Sequence, residues 1–233
     1  MATAKTRQKI VASFLSLLGD KGWHGFEMAD VARDAGVKLS VLRAEFPGKT
    51  ACLRAFLSEI DQKVLDSIDP DMEGEPARER LFDVLMTRLD TLSPHKDAIR
   101  ALRKAVQRDP QLALKLNREA VTSQRWMLTA AGIPANGPRA AVMSQALVVA
   151  FARVVDTWLD DEDPGLARTM SALARQLDEG EVWMGRIDRV SSFLKPFLSK
   201  VRERDGARQD APSPGGEGPE DAASPSGASP SAA

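Results

Sequence analysis

Few residues of this chain could do chemistry by themselves. His24 and His95 are its only histidines and Cys52 its only cysteine, and none stands beside another at ligand spacing. A zinc site is not expected, and neither is a disulfide. No nucleophile elbow and no phosphate-binding glycine-rich loop before a helix occurs, so neither an enzyme activity nor a cofactor is expected. The acidic run Asp160-Asp161-Glu162-Asp163 reads as a solvated helix start whose carboxylates cap, in preference to a cation site. Cys52, next to Leu53, reads as a core thiol. What remains is charge. Residues 1–50 hold eight Lys or Arg against five Asp or Glu, while the whole chain carries a net charge of −1. The local surplus favours an anionic partner for the N-terminal part.

Three of those cations, Lys38, Arg43 and Lys49, fall in a stretch whose pattern can position them. From Glu27 to Leu53, two short amphipathic helices meet at Gly36, with only Val37 and Lys38 between them. Val31, Ala32 and Ala35 give one apolar face before the glycine, and Leu39, Leu42 and Phe46 give another after it. Gly36 stands where a helix closes with a left-handed residue. The small Ala32 and Ala35 let the second helix lie close across the first. A preceding helix from about Lys5 to Lys21, with Ile10, Phe14, Leu17 and Leu18 on one stripe, supports the pair, and Gly22 ends it. Trp23 and Phe26 are expected to pack beneath. After the Pro47-Gly48 break, Thr50 is expected to cap a fourth helix carrying Leu53, Phe56, Leu57, Ile60 and Val64.

The rest of the chain is also helical in pattern. Leu, Ala and Arg dominate, tyrosine is absent and β-branched runs are rare, which points to an all-α protein. Helix starts recur at Pro76, Ser93-Pro94, Asp109-Pro110, Pro138 and Asp163-Pro164, with Gly132 and Gly180 as stops. An amphipathic pattern over 183–201 is expected to kink at Pro196. Residues 205–233 contain 22 Ala, Pro, Ser or Gly among 29 and no large apolar residue, so a disordered tail is expected. No apolar run approaches the roughly 20 residues that span a bilayer. A soluble cytoplasmic protein is expected.

The residues Val31-Ala32, Ala35-Gly36-Val37, Leu42, Phe46-Pro47, Lys49 and Leu53, in that order and spacing, resemble the DNA-binding signature of the TetR family of bacterial one-component regulators. The likeness runs to about residue 57; beyond it, helix order and length carry it. It implies a TetR-like fold, with a helix-turn-helix DNA-binding domain over 1–60 and a helical ligand-binding and dimerisation domain over 61–204. It also implies a homodimer on double-stranded operator DNA, released by a small-molecule effector of hydrophobic character. In the family, the segment equivalent to Leu39–Phe46 is the recognition helix, placed in the major groove. Carried over, Lys38, Leu39, Ser40, Val41 and Arg43 face DNA, and Lys49 begins the next helix against a phosphate. The spacing of Lys38, Arg43 and Lys49 suits backbone phosphates. Ser40 and Val41 are small enough to reach base edges or a thymine methyl.

Four residues depart from the family's pattern. Glu27 stands in place of a capping Ser or Thr, Lys38 in place of a serine, Arg43 in place of a tyrosine, and Glu45 where histidine is frequent. Two of these add negative charge on the DNA side. In the second domain, Trp126, Met127, Met143, Val149 and Phe151 are the candidates to line an effector cavity. The resemblance places the dimer interface on 139–159 and 164–178. A different reading starts from Val155–Asp161 with Thr169, Met170 and Leu173, which resemble a ubiquinone-biosynthesis protein that binds lipid on a TetR-like fold. On that reading the chain binds lipid or quinone without DNA, and the amphipathic helix around Phe193–Val201, within the 183–204 segment, lies on a membrane surface.

Overall fold

The structure, a computed structural model, describes residues 3–182. The 183–204 segment and the tail both lie outside them. Every regular element among the described residues is helical, and they belong to one compact unit. The elements are α1 (Ala4–Lys21), α2 (Met28–Asp34), α3 (Leu39–Glu45), α4 (Lys49–Asp66), α5 (Ala77–Leu92), α6 (Lys96–Arg108), α7 (Pro110–Ala130) and α8 (Gly137–Leu159). A further helix, α9, runs over 167–182, to the edge of the described residues.

Helix α1 starts where the Thr3 hydroxyl accepts the Thr6 N–H at 3.2 Å. It stops at Gly22, whose φ of 73° turns the chain while its N–H donates to Leu18. Phe14, from its buried stripe, meets Trp23 and Phe26 edge-on at 6.2 and 5.8 Å. These aromatics form the expected floor under the helix pair. Gly36, at φ 61°, makes the turn between α2 and α3, and Val31, Ala32, Ala35, Leu42 and Phe46 are buried behind it.

Several boundaries differ from the sequence pattern. Thr50 does not cap α4: the Gly48 carbonyl already accepts the Ala51 N–H at 3.0 Å, so the first turn closes two residues earlier. Pro76 sits just outside α5, and Ser93-Pro94 forms a 3₁₀ turn ahead of α6. Asp109-Pro110 opens α7 as expected, with the Asp109 carboxylate accepting from Gln111 and Leu112 N–H, both at 3.0 Å. Pro164 lies in a turn, while the Asp163 carboxylate accepts from the Gly165 and Ala167 amides. Gly180 does not end α9, which continues through it.

Helices α4, α5, α7 and α8 enclose the main core of the larger half, with Phe56, Ile60, Leu85, Leu89, Met127 and Trp158 all fully buried. One polar cluster crosses it. The Arg88 guanidinium, 4% exposed, donates to Asp61 of α4, whose carboxylate also accepts the Ser123 hydroxyl at 2.6 Å. The guanidinium also sits 5.7 Å from the centre of the Phe151 ring. Against the expectation that no apolar run approaches spanning length, α8 is by length and hydropathy able to cross a membrane. Here its Leu147, Phe151, Val154 and Trp158 are core residues.

Candidate nucleic-acid interface and inner cavity

Helix α3 has two faces with different work. Leu42 and the following Phe46 are buried and fix its position; Lys38, Leu39, Ser40 and Arg43 are exposed, and Val41 is half-buried beside them. Lys38 occupies the position before α3, and its exposed side chain has no ion pair or hydrogen bond among the described residues. The outer face of α3 therefore offers two cations and a small hydroxyl on a helix whose inner face is held rigidly.

Lys49 is placed differently from expectation. Its ammonium donates to the Trp23 carbonyl at 2.9 Å and to the Phe26 carbonyl, and lies 4.3 Å from the Phe26 ring centre. It turns inward and braces the α1–α2 connection against the first turn of α4. That geometry does not support a phosphate contact from its ammonium, since the carbonyls hold it.

The two acids that departed from the family pattern also differ from each other. Glu45 accepts from Arg7 at 3.3 Å, and Arg7 stacks 4.7 Å from the Phe46 ring centre. Its charge is thus answered from α1. Glu27 is exposed at the start of α2, where Asp30 does the reciprocal work by accepting the Glu27 N–H at 2.8 Å. That bond, helped by Arg33 at 2.9 Å, holds the Asp30 carboxyl below its ordinary pKa.

The five expected cavity residues do not converge. Met127 and Phe151 are buried in the core, Trp126 is 52% exposed on α7 and lines a separate surface pocket with Ile133 and Pro134, and Met143 reaches a cavity between the helices. Val149 is exposed as well. The cavity, about 340 Å³, lies between α5, α7, α8 and α9, floored by Leu81, Leu128, Leu147 and Leu177, with Arg78 and Arg139 also on its wall. Ala146, Ala150 and Gly180 open it by lacking bulk. Small residues at helical spacing on facing helices were the available signal, and a search for large apolar side chains passes over them.

The remaining candidates are structural. Asp161 is buried and accepts both the amide and the hydroxyl of Thr169, at 2.9 and 2.7 Å, which holds its carboxyl below the ordinary range. Asp160 pairs with Arg100 at 2.8 Å. The acidic run is therefore a capping turn, and no cluster able to hold a metal occurs among the described residues. Cys52 is fully buried, and burial pushes its thiol up to about 12.

Among solved structures, a TetR transcriptional regulator from Nitrosomonas europaea superposes with a TM-score of 0.59 at 19% identity, covering 75% of this chain and 97% of that one. One from Rhodococcus sp. RHA1 gives 0.52 at 21%, covering 76% and 96%. The fold is that of the TetR regulators. GusR of Salmonella enterica, at 0.54 and 17% identity, covers 76% of this chain and 95% of its own. No family model matches the chain, and no curated protein does.

Proposed function

We propose that the chain is a TetR-type transcriptional regulator that binds operator DNA through the outer face of α3. The observation that carries this is the exposed set Lys38, Ser40 and Arg43 on a helix anchored by buried Leu42 and Phe46. Lys38 and Arg43 meet phosphates, while Leu39, Ser40 and Val41 approach base edges. The pairing of Glu45 with Arg7 lowers the cost of the extra acid beside this face. Residues 1–60 act as the DNA-binding part and 61–204 as the effector and dimerisation part.

Two such helices are needed for an operator with two half-sites, about 34 Å apart. The outward faces of α8 and α9 supply a surface for the second copy: Val142, Val149 and Met170 are exposed there, within the 139–159 and 164–178 segments. The effector is a small apolar molecule in the leucine-floored cavity, which has the volume of a small-ligand site. It acts by preferring a conformation in which the two α3 helices are wrongly spaced. The same cavity would also serve a lipid or quinone carrier, so extraction of the purified protein for bound lipid discriminates the two readings. Val155 and Trp158, which suggested that carrier, are core residues here, and Asp161 is a cap.

Titration of the protein with DNA from immediately upstream of its own coding region tests the proposal. Binding that resists nonspecific competitor and weakens with salt supports it. Failure to bind any such fragment above nonspecific DNA overturns it.

A further inference from the structure

Helix α6 carries Lys96, Arg100, Lys104 and Arg108 at four-residue intervals, one row of like charges that repel along the helix. The first two are answered inside the fold. The Lys96 ammonium lies 4.8 Å from the Trp158 ring centre and donates to the Asp161 carbonyl at 3.3 Å. Arg100 holds Asp160 and the Leu159 carbonyl. Lys104 and Arg108 are exposed and have no ion pair or hydrogen bond among the described residues.

Both line a cleft of about 420 Å³ whose opposite wall is the end of α1 and the turn that follows it, Gly19 to Gly25, carrying Lys21 and His24. Four cations, Lys21, Arg100, Lys104 and Arg108, face it against two acids, Asp20 and Asp97. The turn is tight: Gly22 has φ 73°, and a Cβ on Gly25 would lie 2.1 Å from the Lys21 carbonyl oxygen. The cleft opens where α1 and α6 pack together, with the position of a Cβ on Gly19 only 3.3 Å from the Asp97 Cβ.

We propose that this cleft binds a small polyanion, a metabolite bearing two or more phosphate groups. Lys104 and Arg108 hold it from α6 and Lys21 from the α1 turn. Arginine offers the forked donor geometry that phosphate prefers, and the lysines add point charge. The volume suits a small molecule, larger than a single phosphate. Duplex DNA is the poorer occupant. Lys9 abuts Gly36 and Arg7 pairs with Glu45, so the other half of α1 serves the helix-turn-helix. Lys21 lies about 18 Å further along α1 from Lys9, at the rise of an ideal helix. A bound anion would fasten α1 to α6 across the cleft and quench the repulsion within the α6 row.

Calorimetric titration of the full chain with tripolyphosphate, at constant ionic strength, tests this. The expected result is saturable binding of one per chain, weakened at least tenfold in K104Q/R108Q and unchanged in R43A. D97N should tighten it severalfold by removing an opposing charge. Both α6 side chains are exposed, so the double variant should keep the melting temperature of the unliganded protein, which confirms that it is folded. Absence of saturable heat, or a folded double variant that binds as the parent does, overturns the proposal. Loss of tripolyphosphate binding in R43A also overturns it by assigning the anion to a DNA contact.

Discussion

Helix α4 is fastened at both ends by a charged side chain, and the two fastenings differ in what surrounds them. At its first turn, Lys49 reaches out to two backbone carbonyls, Trp23 and Phe26, in a half-buried setting. Near its last turns, Asp61 receives Arg88 and Ser123 in the interior. In the first case a single charge satisfies neutral backbone acceptors. In the second, two opposite charges have been taken out of water together, so each depends on the other. The helix-turn-helix end is thus held by a replaceable brace, and the larger half by a pair that cannot lose one member cheaply.

The largest effect should follow from breaking the interior pair. Arg88→Met leaves Asp61 buried with only Ser123 for a partner and should cost about 3–5 kcal/mol in urea unfolding. The double variant D61N/R88M should recover part of that loss, because the stranded charge is gone. A cost below about 1 kcal/mol for Arg88→Met would show that the pair is hydrated and the contrast mistaken. Lys49→Met, at the other end, should cost about 1–2 kcal/mol, the worth of hydrogen bonds from a charged donor. It should leave the salt dependence of DNA binding unchanged, since the ammonium is directed inward. A reduced salt slope in Lys49→Met would return Lys49 to the phosphate role that the family resemblance implies.

A smaller effect is expected at His95, whose ring meets Phe56 edge-on at 5.0 Å, beside the same helix. Burial first, and then the charge of Lys63, lowers its pKa below the ordinary 6.5. Folding therefore favours the neutral ring. The stabilisation is fully present above about pH 6.5 and is lost as the pH falls through the depressed folded value. Melting curves of the parent should decline more steeply than those of H95Q between pH 7.5 and 5.5; parallel curves would contradict this.

The helix-turn-helix is legible in the sequence because its signals are local. Gly36 and the spacing of Val31, Ala35, Leu42 and Phe46 specify the turn and the buried faces without reference to distant residues. The direction of each charged side chain is not legible there. Lys49 turns toward carbonyls 23 and 26 residues away, and Glu45 finds Arg7 38 residues earlier. Such partners exist only after α1 has packed on the pair. The cavity escapes the sequence for another reason. Trp126, Met127 and Phe151 are as apolar as any pocket wall, but apolarity does not separate core from cavity, and in a close-packed interior core is the usual outcome. The opening arises from missing bulk at Ala146, Ala150 and Gly180. Gly180 misdirects further, since glycine commonly ends helices but is tolerated inside one at about 1 kcal/mol relative to alanine.

On the proposed function, α3 presents Arg43 to DNA while Lys49 is held within the protein. The direct measurement is the dependence of affinity on salt for the upstream DNA fragment, compared among the parent, Arg43→Ala and Lys49→Met. Arg43→Ala should weaken binding and lower the salt slope by about one unit, because one fewer phosphate is neutralised. Lys49→Met should leave the slope where it is. An unchanged affinity and slope in Arg43→Ala would contradict the placement of α3 on DNA.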